Sequence, residues 1–325
     1  MNRTKQGEVE QTGRNLWRGR TPRWVWLVIG LAACSGRSPC SGASTRAAAD
    51  QAACADWATH YCNRLDACAP LSVEIGYGDV AQCVERSKVQ CWSTLRANGT
   101  GQTPDRVEIC AQAYDATPCE EVVVGKPPSA CSVPGSLRVG ANCGDDSQCA
   151  GPNGYCRMAS DATCGTCAVL GSVGAGCYSD RDCEHGLVCY FTCMAPVSAG
   201  AACDGMTRQC PATMVCLDYA CVPLGASGAP CNPRAETCDR DHGLYCDPEL
   251  KRCSPYTLAS AGLPCGGGTT CRGGGCVTNP LTQKSACIPN AADGADCDPT
   301  SGPFCAAPAR CVDGTCKFPD PTRCD

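Results

Sequence analysis

Residues 174–193 read Gly174-Ala175-Gly176-Cys177-Tyr178-Ser179-Asp180-Arg181-Asp182-Cys183-Glu184-His185-Gly186-Leu187-Val188-Cys189-Tyr190-Phe191-Thr192-Cys193. Four cysteines stand among turn-forming residues, with too few large apolar side chains to build a core. The Gly-x-x-Cys opening, here Gly174 to Cys177, recurs as Gly140 to Cys143, Gly200 to Cys203, Gly228 to Cys231, Gly262 to Cys265 and Gly294 to Cys297, at intervals of 26 to 34 residues. A fixed-period recurrence of this kind marks a tandem array. Each unit continues with a second cysteine after five to seven residues and a third after four to seven. Proline, glycine and asparagine between them predict turns and short hairpins. Four cysteines allow three connectivities, of which first-with-third and second-with-fourth is the one favoured for each unit.

The composition of the whole chain agrees. Cysteine makes up 36 of 325 residues, about 11%, above the ~8–10% that marks a disulfide scaffold. Leucine, isoleucine, valine and phenylalanine together reach about 14%, below the ~20% of ordinary globular cores. One large hydrophobic domain is excluded, and covalent links must replace burial in the array. The expected fold class is small and disulfide-rich: a short helical bundle over residues 51–130, then an elongated array of six cysteine-rich repeats over 131–325, each touching mainly its neighbours.

So many disulfides persist only outside a reducing cytosol, and the N-terminus predicts export. Arg14, Arg18, Arg20 and Arg23 precede the apolar run Trp24 to Ala33, which is too short to span a bilayer, where about 20 residues are needed. Residues 1–33 therefore read as a signal peptide. The run ends in Leu31-Ala32-Ala33-Cys34, which resembles the lipobox of bacterial lipoproteins. That resemblance implies lipidation of Cys34 and a tether to the cell envelope, with the outer membrane as the expected destination. Residues 34–50, rich in Ser, Gly, Ala and Arg, read as a flexible stalk. Removing the first 33 residues takes the net charge from −5 to about −9, and a clustered basic face is missing, so nucleic acid is excluded as a partner.

The helical unit is legible from its seams. Cys54, Trp57, Tyr61, Leu65 and Cys68 follow helical spacing behind Asp50, with Pro70 as a stop. A second helix starts at Asp79 with Gln82 completing a capping box. A third opens with Thr103-Pro104. Cys54 and Cys62 lie eight residues apart on one helix, as do Cys83 and Cys91 on the next, so each pair is about 12 Å apart. A disulfide needs Cα atoms within about 7 Å. Neither pair closes on itself, and antiparallel helices would join Cys54 to Cys91 and Cys62 to Cys83.

The stretch Cys143 to Cys193, with Cys149, Cys156, Cys164, Cys167, Cys177, Cys183 and Cys189, resembles the Dickkopf N-terminal cysteine-rich domain in its opening C-x5-C, central C-x2-C and closing C-x5-C. A vicinal cysteine pair of that domain is missing here, so its disulfide set does not transfer. The resemblance implies a protein-interaction module. The layout as a whole also looks like that of cysteine-rich bacterial lipoproteins.

Candidate chemistry is sparse. Cys164-Gly165-Thr166-Cys167 has the spacing of a redox pair or half a zinc knuckle, but no βαβ pattern or second knuckle accompanies it. His185 and His242 precede glycine at one repeat position and read as turn residues; His60 borders the first helical seam. Gly266-Gly267-Gly268 lacks the lysine of a phosphate loop. Asp293, Asp296 and Asp298 lack EF-hand spacing. Asn98-Gly99-Thr100 matches a glycosylation sequon by pattern alone.

The chain is therefore expected to be a non-enzymatic lipoprotein, a binding or structural stalk for a protein or polysaccharide ligand, with no cofactor or metal. An inhibitor of extracellular proteases is the alternative, with Arg208 before Cys210 or Arg272 after Cys271 as specificity residues. Cysteines from Cys54 to Cys324 are even in number, which leaves Cys40 as the expected unpaired thiol, able to link two chains.

Overall fold

The computed structural model describes residues 40–159, 161–206, 208–233 and 237–324; the signal peptide and Cys34 lie outside the described residues, as does the side chain of Cys40. Five helices come first: α1 (Cys40–Cys68), α2 (Pro70–Gly76), α3 (Val80–Arg96), α4 (Pro104–Tyr114) and α5 (Cys119–Val123). The local signals behave as the residue chemistry requires. Asp79 caps α3 by accepting the Gln82 amide at 2.8 Å, and Thr103 caps α4 ahead of Pro104. Two expectations are corrected. The chain is already helical from Cys40, so residues 40–50 are not a coil leading into a helix capped at Asp50. Their Ala-rich composition carries the helix past that cap. Pro70 does end α1, but it also begins α2, where its missing N–H is no loss.

Cys54–Cys91 and Cys62–Cys83 lace α1 to α3, with Cα separations of 5.5 and 5.9 Å. Cys68–Cys119 ties the end of α1 to α5, and Cys110–Cys131 ties α4 to the chain leaving the helices. Between these links Trp57 stacks on Tyr61 with ring centroids 5.3 Å apart, and Tyr61 meets Tyr114 edge-on. Leu65, Val73 and Val122 bury beside Cys62 and Cys83.

The six repeats share one hydrogen-bonding frame. In the second, Gly174 donates to the Cys193 carbonyl at 2.8 Å and the Cys193 amide returns a bond to Ala175 O. The same reciprocal pair joins Gly140 with Cys167, Gly200 with Cys221, Gly228 with Cys253, Gly262 with Cys287 and Gly294 with Cys316. Gly174 turns back at φ +88°, a left-handed conformation that side chains disfavour. That is why glycine opens the motif.

Within each repeat the third and fourth cysteines face each other across a short antiparallel hairpin, as Cys189 does Cys193 and Cys216 does Cys221. Facing residues point to the same side of the sheet. Each then reaches one of the two cysteines of the preceding loop, which yields Cys177–Cys189 and Cys183–Cys193, and the same first-to-third, second-to-fourth pattern in the others.

The loop between the first two cysteines is ordered by the residue before the second. Asp182 accepts the amides of Tyr178 and Ser179 at 2.7 and 3.0 Å and the Tyr155 hydroxyl at 2.8 Å. Burial pushes its carboxyl up, but these donors and Arg157 outweigh it and hold the group below the usual 3.8. Gln148 does the same work in the first repeat, where its Oε1 accepts Gly144 and Asp145 amides and its Nε2 donates to Asn98 O on the helical side.

The array does not extend with each repeat touching only its neighbours, as expected from sequence. It packs back on the helices. Lys126, after α5, donates to Glu184 O and Leu187 O of the second repeat at 3.2 and 2.6 Å, and burial lowers its pKa. Leu71 donates to Asp241 O of the fourth, and Gly273 of the fifth donates to Glu74 O. Asn290, leading into the sixth, donates to Ile75 O. The sixth repeat also returns to the first: Arg310 donates to Ala159 O and Ala162 O at 3.0 and 2.8 Å, and Cys164–Cys324 bridges 160 residues. Short repeats expose backbone polar groups on their loops, and pairing these with the helix ends satisfies both.

Candidate binding cleft

Where the sixth repeat and the C-terminal residues meet α3, they leave a cleft of about 900 Å³. One wall is the α3 face of Glu85, Arg86, Val89, Trp92, Ser93 and Arg96. The other is Asp293, Gly294 and the segment 315–323, and Thr163 and Cys164 complete the lining. Cys164 thus lines the cleft and is joined by its disulfide to Cys324, next in sequence to Arg323, while Arg86 ties α3 across to Asp293. Smaller cavities of about 130 and 60 Å³ lie along the contact of the helices with the first two repeats. The cleft has the size of a ligand site, where about 300–1,000 Å³ is usual.

Its charges are mostly matched. Arg86 grips Asp293 through Nη2 at 2.7 Å and donates to Ala306 O at 3.0 Å and to Ala307 O, while its guanidinium carbon lies 5.3 Å from the centre of the Phe318 ring. Lys317 pairs with Asp313 at 3.3 Å and Arg323 with Asp320 at 3.0 Å. Glu85 is held by Lys88 at 2.9 Å. Arg96 sits over Trp92, its guanidinium carbon 3.7 Å from the ring centre. Val89 adds an apolar side chain that is half open.

No family model, curated protein or solved structure matches this chain.

The residues singled out from sequence fall mostly elsewhere. Cys164 and Cys167 are not bonded to one another: Cys164 joins Cys324, and Cys167 joins Cys149. Every cysteine from Cys54 to Cys324 is in a disulfide. Cysteine trios close enough to share an ion, such as Cys143, Cys149 and Cys167, thus offer no thiolate. Each histidine sits against a carboxylate: His60 against Asp115 at 2.7 Å, His185 against Glu121 at 3.6 Å and His242 against Asp239 at 2.8 Å. His185 thereby joins the second repeat to α5.

Asp298 closes its own turn by accepting from Ser301 and Thr300, and those bonds hold its carboxyl below the usual value. Asp293 belongs to the cleft through Arg86. Gly266, Gly267 and Gly268 all take left-handed φ and form a turn. Asn98 contributes its carbonyl to Gln148. Arg272 is tied to Glu74 at 3.1 Å, in the contact between the fifth repeat and α2, while Arg208 stays exposed on its loop.

Sequence reading placed Trp92 in a helical seam and passed over Arg86, Arg96 and Phe318. One signal was present: Trp92 and Arg96 stand four apart on a helix, the spacing that stacks their side chains.

Proposed function

We propose that this is an exported, membrane-tethered binding protein, without catalytic activity of its own, that takes a component of the cell envelope in the cleft between α3 and the sixth repeat. The observation that carries the reading is a cleft between segments remote in sequence, spanned by the Arg86 to Asp293 pair across 207 residues and bordered by Cys164–Cys324. Preorganised walls avoid the ordering cost of binding. The disulfides support export. Among the described residues no helix is long and apolar enough to cross a membrane.

Ser93 lies on the α3 wall, so Ser93→Trp fills the cleft from a rigid element. The mature wild-type chain should sediment with an insoluble, polysaccharide-containing envelope fraction, and Ser93→Trp should lower the bound share by about fivefold, a loss of ~1 kcal/mol. Equal sedimentation of the two proteins would overturn the assignment of the cleft.

In this reading the tether is a lipid on Cys34, as the Leu31-Ala32-Ala33-Cys34 resemblance implies, and Cys40 is the thiol that joins two chains. Two or three acyl chains hold a protein stably where one does so marginally. A fatty-acid analogue should label the wild type and not Cys34→Ala, and a dimer band on non-reducing gels should vanish in Cys40→Ser. A labelled Cys34→Ala protein would refute the tether; an unchanged dimer band would refute the link.

A further inference from the structure

We propose that the cleft selects a carboxylate-bearing oligosaccharide, with Arg96 as the group that takes the carboxylate; the inference rests on the cleft being the binding site. Four cations line it, and their states differ. Arg86 is engaged by Asp293 and two carbonyls, Lys317 by Asp313 and Arg323 by Asp320. Among the described residues, no hydrogen bond or ion pair engages Arg96. Its guanidinium is nevertheless oriented, because it stacks 3.7 Å from the Trp92 ring centre. Stacking uses the flat face of the guanidinium and leaves its in-plane N–H donors free. Those donors form a fork that matches two carboxylate oxygens.

The acids of the cleft offer no competition. Asp293 is held by Arg86, Asp320 by Arg323 and Glu85 by Lys88. One oriented, unengaged cation in a preformed cleft is charge-complementary to one carboxylate at a time. A densely charged polyanion is disfavoured by the net negative chain.

The walls favour a sugar over a peptide. An extended peptide gains affinity by laddering its backbone onto a sheet edge. One wall here is a helix, whose mid-helix N–H and C=O groups are already paired. It offers only side chains. Val89, half open beside Trp92 and Phe318, supplies apolar contact for the C–H face of a sugar ring, and Thr163 adds a hydroxyl to the lining.

The test is calorimetric titration of the mature chain with a galacturonate trimer, with maltotriose and triglutamate as the neutral-sugar and acidic-peptide arms. The galacturonate trimer should bind, and Arg96→Gln should weaken it by about tenfold or more, since a charge-assisted bidentate contact is lost. Arg96→Lys keeps the charge without the fork and should recover only part of that loss. Arg96 is exposed, so neither variant removes a packed side chain. Galacturonate binding that is unchanged in Arg96→Gln, or matched by triglutamate or maltotriose, would overturn the proposal. If the trimer fails to bind while Ser93→Trp still lowers envelope sedimentation, the cleft stands and the carboxylate sugar falls. An unaffected Ser93→Trp protein would remove the cleft itself.

Discussion

Replacing Cys164 and Cys324 together with serine should loosen the sixth repeat from the first and cost the closed form about 4 kcal/mol. The two cysteines lie outside the four-cysteine pattern of the repeats and close a loop with a sequence separation of 160. An uncrosslinked loop of that length would be worth ~5 kcal/mol by chain entropy. The intervening repeats are already cross-linked, so the effective loop is shorter, but the dependence is logarithmic and each halving removes only about 0.6 kcal/mol.

Against the first repeat few contacts remain, namely Arg310 on the carbonyls of Ala159 and Ala162 and the packing of Pro321 on Gly144, whose missing Cβ would fall 2.5 Å from Pro321 Cα, while Arg86 and Asn290 still tie the sixth repeat to the helices. Hydrogen exchange should show residues 291–324 losing protection while 54–131, with four disulfides of their own, keep theirs. Exchange that is unchanged over 291–324 would mean the disulfide adds nothing to a junction already held by packing. The cleft borders this link, so ligand binding should weaken with it.

Arg86→Met is expected to cost about 2–4 kcal/mol, most of it from the groups left behind. The Arg86 side chain is only 21% exposed and bridges α3 to Asp293, Ala306 and Ala307. Methionine replaces the stem but strands the Ala306 and Ala307 carbonyls in a part-buried contact, while the Asp293 carboxylate stays open to water. Asp293→Asn keeps an acceptor for Arg86 and leaves its carbonyl bonds in place, so it should cost no more than about 1 kcal/mol. Limited proteolysis of the 291–324 segment, comparing the two variants, reads the difference. Equal resistance in Arg86→Met and wild type would show that the Arg86 contacts are not needed to position the sixth repeat.

These two effects concern contacts that pattern reading did not reach. The antiparallel α1 to α3 link was legible because helical rise sets how far apart Cys54 and Cys62, or Cys83 and Cys91, must be, and disulfide reach then leaves few partners. The repeat boundaries were legible because glycine at each Gly-x-x-Cys opening is needed for a left-handed turn. The helix start at Cys40 was missed because Asp50 is a good cap for a helix that does not begin there. Arg208 and Arg272 looked alike in sequence, each beside a cysteine. Only the fold separates them, by placing Glu74 against Arg272.

By itself, the sequence determined the disulfide-rich class, the six-fold recurrence, the helical unit ahead of it and a disulfide content that points outside a reducing cytosol. All of these depend on spacing within a few tens of residues or on composition, where local geometry permits few alternatives. Only the tertiary structure decided that the array packs on the helices, that Cys164 joins Cys324, and that α3 and the last repeat enclose a cleft. Arg86 and Asp293 are 207 residues apart, and no periodicity encodes such a pair. It arises because exposed carbonyls and unmatched charges on the repeat loops find their lowest free energy against the helix faces that the disulfides have already made rigid.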